Sequence, residues 1–211
     1  ELSNHGKKCL IIESRSHLGG NIYCTKKDDI IVHTYGAHIF HTSNSYIWEF
    51  VNKYTNFNNY INSPIANYKG ELFNMNTFNK MWGVVTPEEA LDKINEQKLK
   101  LNRPPKNLEE QALSLVGKDI YNKLIKGYTE KQWGRDCKNL PSFIIKRLPL
   151  RFTYDNNYYN DRFQGIPYLG YNELINNLTK DIEIRCNVNY YDSREYFDHI
   201  SKKILFTGPI D

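Results

Sequence analysis

Five residues, Cys9-Leu10-Ile11-Ile12-Glu13, constrain this chain more than any other stretch. A short apolar run has the form of a strand buried on both faces, as in a parallel sheet. The carboxylate that closes it has two readings. In a dinucleotide-binding βαβ unit the second strand ends in an acid that bonds a ribose hydroxyl. Strands also end in Asp or Glu for solubility alone. Ahead of the run, residues 1–8 read as a helix end stopped at His5-Gly6. The glycine fingerprint of such a unit belongs before that helix, upstream of Glu1, so the chain is expected to be part of a longer protein. After the run, Gly19-Gly20-Asn21 lets the backbone turn tightly or approach a ligand closely.

Strand and helix patterns then alternate. Residues 30–34 form a second apolar stretch, and 42–54 an amphipathic helix with a polar cap. Residues 60–75 read as a hairpin turning at Lys69-Gly70. Helices follow at 77–82, after Thr86-Pro87-Glu88-Glu89, from Asn107, over 118–131 and over 140–147. Residues 150–159 look extended, 171–179 helical, and 182–188 and 203–207 like strands. This predicts an α/β protein with α+β lobes. A Rossmann-like βαβ portion occupies 1–60 and 180–211. A helical lobe spans 77–147, and 61–76 with 148–179 supply part of an antiparallel sheet.

Partner classes are narrowed by composition. A net charge of +4 without a basic run gives no footing for nucleic acid. No apolar run approaches the roughly 20 residues of a spanning helix, so no membrane partner is expected. Four cysteines without a Cys-x-x-Cys pair argue against a disulfide framework or a zinc site, and suit a cytoplasmic protein. His38 and His41 are three apart, but the surrounding Tyr35-Gly36-Ala37-His38-Ile39-Phe40-His41 is too short and glycine-broken for a helical metal pair; no metal is expected. Neutral imidazoles bonding a cofactor or the core fit better. Sixteen tyrosines suit sugar or nucleotide faces, or a Tyr-rich sheet.

Residues 126–147 gather Tyr128, Trp133, Arg135, Lys146 and Arg147 around Gly127, Gly134 and Pro141. Aromatic faces stack on rings, and guanidinium forks hold phosphates. The stretch is either a helix end and loop closing on an anionic, ring-containing ligand, or a helix hairpin with a core Trp and solvated charges.

These motifs together resemble UDP-galactopyranose mutase, a flavoenzyme family. The resemblance runs through His17-Leu18-Gly19-Gly20-Asn21, the residues 35–41, Asn62-Ser63-Pro64, Asn74-Met75-Asn76-Thr77-Phe78, the stretches 126–134 and 141–147, 151–157, and Thr207-Gly208-Pro209. It implies interconversion of UDP-galactopyranose and UDP-galactofuranose, with reduced FAD forming a covalent N5 adduct to the sugar. Carried over motif by motif, Glu13, Asn21, His38, Ile39, Asn189 and Tyr190 would bind FAD. Asn62, Tyr128, Thr129, Trp133 and Tyr158 would line the UDP-sugar site, with Tyr128 stacking on uracil. His41 would lie beside the flavin, and Arg147 would clamp the diphosphate from a mobile loop. The product serves cell-surface polysaccharide, and the usual bacterial assembly is a homodimer. The chain departs from the family pattern where Asn74 runs directly into Met75. The family's glycine-rich phosphate loop and its residues beyond Asp211 are not in this sequence, so weak FAD binding and no activity are expected of it alone. Two other readings are a non-catalytic UDP-sugar-binding fragment and an oxidoreductase like the flavin amine oxidases.

Overall fold

The computed structural model describes residues 2–74, 78–147 and 155–208. In chain order the elements are β1 (Leu10–Glu13), β2 (Cys24–Lys27), β3 (Ile30–His33), β4 (Phe40–Thr42), α1 (Ser45–Asn52), β5 (Ile65–Tyr68), β6 (Glu71–Asn74), α2 (Phe78–Trp82), α3 (Pro87–Gln97), α4 (Leu108–Ile120), α5 (Gly127–Trp133), β7 (Phe163–Gly165), α6 (Tyr171–Leu178), β8 (Glu183–Cys186) and α7 (Arg194–Ile200). Strands and helices are mixed, as an α/β chain requires. The chain divides into two units, one of Glu1–Tyr60 with Asp161–Asp211, the other of Ile61–Asn160.

In the first unit β1 pairs in parallel with β8, Leu10 opposite Glu183 and Glu13 opposite Cys186. The strand expected over 182–188 is therefore real but shorter. β2 and β3 form a hairpin whose turn, Asp28-Asp29, has φ of 48° and 62°. Both central residues of a type I′ turn need positive φ, and Asp tolerates it better than most side chains. β4 pairs antiparallel with β7. This pairing draws 161–179 into the first unit, whereas the sequence placed 148–179 in a separate sheet lobe. Asn172 on α6 grips the Cys24 backbone from both sides, accepting from its N–H at 2.9 Å and donating to its carbonyl at 2.7 Å. Cys24, Val51, Tyr171 and Leu174 are the buried centre, with Trp48 stacked on Phe163 beside them.

The expected strand over 203–207 is absent: these residues are irregular and exposed, Leu205 most of all. An apolar run becomes a strand only when a neighbour takes its backbone hydrogen bonds, and none among the described residues does. Asn189 and Tyr190 likewise lie past the end of β8, at a short 3-10 turn (Tyr190–Ser193) rather than on a strand.

The second unit opens with the β5–β6 hairpin, turned at Lys69-Gly70, where Asn67 Oδ1 accepts from the Gly70 N–H. Thr86 and Glu89 cap α3 reciprocally, with Pro87 at its first position. Asn107 caps α4 by accepting from Glu110 N–H at 2.9 Å. Within α4, Gly117 breaks the helix with φ 75° and ψ 176°. A Cβ there would meet Gln97 Cβ at 2.9 Å and the Ile94 carbonyl at 3.2 Å. Only glycine satisfies both the dihedral and the space. The continuous helix expected over 118–131 is accordingly three pieces: the end of α4, a π-helical turn (Tyr121–Lys126), and α5. The 140–147 helix is of the 3-10 type, Ser142–Arg147. Asp119 ties the bend to its neighbours, accepting from Trp82 Nε1 at 2.7 Å and Gln97 Nε2 at 2.9 Å. Around this frame Phe73, Ile94, Leu108, Ala112, Ile120 and Ile125 are almost wholly buried. The shortened link after Asn74 falls on 75–77, outside the described residues.

Candidate functional site

In the second unit, α5 begins after the π-helical turn and ends at Gly134 in the left-handed conformation. Tyr128, Thr129, Gln132 and Trp133 recur at i, i+1, i+4 and i+5, which sets them on one helical face. With Leu108, Ile144 and Tyr158 they line a cavity of about 230 Å³. Thr129 and Leu108 are buried at its base, while Tyr128 is 61% and Trp133 49% exposed. Two wide aromatic faces left half in water above a buried threonine suit a flat ring that is not part of the protein. Tyr158 reaches the cavity from an irregular segment, and its N–H donates to the Asn62 carbonyl at 2.7 Å. Burial, then the nearby Tyr128 and Tyr159, raise the Tyr158 hydroxyl above the ordinary tyrosine range, so it stays a neutral donor.

Four of the five expected substrate residues thus share one cavity, and the fifth, Asn62, is bonded to one of them. Leu108, Gln132 and Ile144 were missed. Gln132 was legible from its spacing within α5. Leu108 and Ile144 were not, because only packing brings α4 and the 3-10 turn to α5. Arg147 closes that 3-10 turn, but its side chain lies outside the described residues, as do 148–154 of the expected lid.

In the first unit Glu13 ends β1, and its Oε1 accepts from the Arg15 N–H at 2.9 Å and from Ser14 Oγ at 3.2 Å. Arg15 Nη2 donates to Asn21 Oδ1 at 3.0 Å, and the guanidinium lies 4.7 Å from the centre of the Tyr35 ring. Arg15 Nη1 is buried with no hydrogen-bond partner among the described residues. An unpaired buried guanidinium nitrogen is costly, and an anionic oxygen would relieve it. Arg15 was not singled out in the sequence. Gly19 (φ 89°) and Gly20 (φ 52°) turn the backbone beside it. Asn189 approaches through the chain: Val188 N–H donates to the Glu13 carbonyl at 3.0 Å. Its own side chain caps the following turn, and Tyr190 donates its hydroxyl to Asp198 at 2.6 Å. Tyr190 is therefore committed to α7 and its aromatic neighbours Tyr191 and Phe206.

His38 donates its backbone N–H to His33 Nδ1 at 3.0 Å and its carbonyl accepts from the Tyr171 hydroxyl at 3.0 Å. Burial, then the His38 charge, lower the His33 pKa, which keeps that ring a neutral acceptor. Ile39 is half-buried in the step to β4. On β4, His41 Nδ1 lies 2.5 Å from Asp161 Oδ2, and Ser43 Oγ donates to Asp161 Oδ1 at 2.7 Å. The same three residue types make a hydrolytic triad only when serine bonds histidine. Here serine bonds the aspartate, so the trio is no nucleophile. A larger cavity, about 330 Å³, lies between Ser16-His17-Leu18, Tyr23 and α6, and none of the expected cofactor residues lines it. Among the described residues no three His, Cys, Asp or Glu side chains group as metal ligands, and no helix is long and apolar enough to cross a membrane.

Residues 123–211 match the family model of UDP-galactopyranose mutase, and residues 1–54 that of an NAD(P)-binding Rossmann-like domain. A probable UDP-galactopyranose mutase of Klebsiella pneumoniae is 39% identical over 221 residues, covering 100% of this chain and 56% of that protein. A dTDP-fucopyranose mutase of Escherichia coli is also 39% identical, covering 100% and 59%. A UDP-galactopyranose mutase of Mycoplasma genitalium is 28% identical, covering 100% and 57%. The chain thus spans little more than half the length of these relatives. A crystal structure of a Pyrococcus furiosus protein superposes with a TM-score of 0.53 at 12% identity, over 88% of this chain and 47% of that one, a likeness of fold alone.

Proposed function

We propose that this chain, which resembles UDP-galactopyranose mutases along its whole length, is part of an isomerase that interconverts the pyranose and furanose forms of a nucleoside-diphosphate hexose. The observation that carries the reading is the cavity on α5, where Tyr128, Thr129, Trp133 and Tyr158 meet around room for one planar base. UDP-galactose with UDP-galactofuranose is the favoured pair. The 39% identity to a dTDP-fucopyranose mutase keeps the choice between uracil and thymine, and between the two sugars, a question for assay.

The cofactor of the reading is FAD. Its adenosine and phosphates suit the first unit, where Glu13 closes a parallel strand and Arg15 holds a buried, unsatisfied N–H beside Asn21. Reduced FAD would supply the electron pair that takes the sugar's anomeric carbon while the nucleoside diphosphate leaves. The chain's residues do the rest. Tyr128 and Trp133 hold the base, and Thr129 and Tyr158 offer neutral hydroxyls. Arg147 meets the diphosphate charge as it develops, and His41 serves the cofactor side. An enzyme of this kind works in the cytoplasm on a soluble nucleotide sugar, supplies cell-surface polysaccharide, and pairs as a homodimer. The flavin amine oxidase alternative lacks support: two half-exposed rings around a buried threonine make a base-sized slot, and none of its described lining residues is a carboxylate for an amine.

The test is conversion by a longer protein containing these residues. With reduced FAD it should form furanose product from UDP-galactopyranose or dTDP-fucopyranose, and with oxidised FAD none. No product from either donor would sink the mutase reading; equal rates in both redox states would sink the role of reduced FAD. A second reading, a non-catalytic nucleotide-sugar module, is favoured by one fact: each described residue lining the cavity lies within Ile61–Asn160. UDP binding without FAD in a longer protein that makes no furanose would decide for it.

A further inference from the structure

We propose that His33 is a pH-sensitive latch on the loop of residues 34–37. Its neutral ring holds the loop shut by accepting the His38 backbone N–H. Its protonation frees the loop together with Tyr35, the ring on which the Arg15 guanidinium rests. The latch lies wholly in the first unit and holds whatever the second unit binds.

The loop leads from β3 toward β4, and residues 34–37 are all exposed, with Gly36 at φ 108°. Its two ends are tied by the bond from the His38 N–H to His33 Nδ1 at 3.0 Å. Tyr171, buried on α6, touches both partners of that bond. Its ring meets the His33 ring edge-on with centres 5.6 Å apart, and its hydroxyl donates to the His38 carbonyl at 3.0 Å. Within the loop, Tyr35 reaches back to an earlier segment. Its hydroxyl lies 2.8 Å from His17 Nε2, and the Arg15 guanidinium carbon lies 4.7 Å from the centre of its ring. His17 is in turn stacked on Tyr23 with ring centres 3.7 Å apart, and Arg15 Nη2 donates to Asn21 Oδ1 at 3.0 Å. The loop therefore carries the aromatic face that sets Arg15 beside Asn21.

A backbone N–H only donates, so His33 Nδ1 must present its lone pair. The neutral ring then keeps its proton on Nε2. An imidazolium has a proton on both nitrogens and no acceptor, so a charged His33 and the bond from His38 exclude each other. Among the described residues, the titratable groups set against the ring are Cys24 opposite it on β2, Tyr171 from α6 and His38 from the end of the loop. None of these is a carboxylate that would favour the cation. Burial, then the His38 charge, hold His33 below the ordinary histidine value of about 6.5. The closed loop is favoured in full above that value, and its advantage is lost as pH falls below it. Once the His38 end is free, Tyr35 moves with the loop and Arg15 loses its platform.

Amide hydrogen exchange on the 15N-labelled chain tests the latch, with protection of the His38 N–H taken relative to its intrinsic rate at each pH. Protection should fall at least about fivefold between about pH 7 and about pH 5, while Trp48 emission stays that of folded protein. The upfield ring-current shift that the Tyr35 face imposes on the Arg15 side-chain protons should decline with the same midpoint. In His33→Asn the side-chain oxygen takes the place of Nδ1 and accepts the same N–H without titrating, so both readouts should stay flat. A further measurement needs no variant: at about pH 8, long-range 1H–15N spectra should show the His33 Nδ1 as unprotonated and pyridine-type. Protection that holds in the wild type, that falls equally in His33→Asn, or that falls only as Trp48 emission reports unfolding would overturn the proposal. So would a protonated Nδ1, or Arg15 protons that keep their shift while the loop opens.

Discussion

The two units bury themselves differently. Ile61–Asn160 is one continuous stretch whose helices enclose, among the described residues, a cluster of fourteen buried ones from Phe73 to Ile145. The other unit joins two distant stretches through pairs of short strands, and its buried cluster among the described residues numbers four, Cys24, Val51, Tyr171 and Leu174. β1, which a parallel pairing normally covers on both faces, is only half-buried along its whole length. Polar grips do more of the work there, such as Asn172 on Cys24 and Asp161 on His41. The contrast separates a unit where four expected binding residues share one cavity from one whose larger cavity none of the expected residues lines, and whose Arg15 still holds an unmet donor.

The tryptophans let that contrast be broken experimentally, since Trp48 lies in the first unit and Trp82 and Trp133 in the second. The largest effect is expected from Ile120→Ala. It should cost about 2–5 kcal/mol, read as a lower urea midpoint by Trp82 fluorescence. Val51→Ala, followed through Trp48, should cost less, because its site is smaller and less enclosed. Equal losses would dissolve the comparison.

Tyr128→Ala should weaken UDP binding by about 1–3 kcal/mol, roughly five- to 150-fold in Kd, by calorimetry. The urea midpoint should hold, since Tyr128 is largely exposed. Gly117→Ala should cost about 1–3 kcal/mol through backbone strain and also weaken UDP binding, because the bend sets where α5 begins. A variant that binds UDP as before would show the bend to be incidental to the cavity.

Acid should reach the first unit first. His33 has a folded pKa below its unfolded 6.5, so its contribution is full above that value and is lost as pH falls below it. In the second unit Glu110, held to about 2 by the Arg103 fork and the Lys106 N–H, contributes fully above about 4.5 and loses that contribution only as pH falls toward 2. Between pH 6.5 and 5 the Trp48 signal should therefore shift in midpoint while Trp82 does not.

Local chemistry made much of this chain legible. Thr86-Pro87-Glu88-Glu89 and Asn107 announce helix starts because their side chains satisfy backbone donors within four residues. Lys69-Gly70 announces a hairpin for a similarly local reason. Tyr128, Thr129 and Trp133 could be grouped because one helix carries all three. What the tertiary structure decided is everything that depends on which strand finds a partner and which helix bends. Residues 203–207 have a strand's composition but no strand partner among the described residues, Asp161 meets His41 only through the β4–β7 ladder, and the bend in α4 follows from the space between Gly117 and Gln97. Periodicity and capping are encoded along the chain; hydrogen-bond partners and excluded volume exist only once distant segments have met.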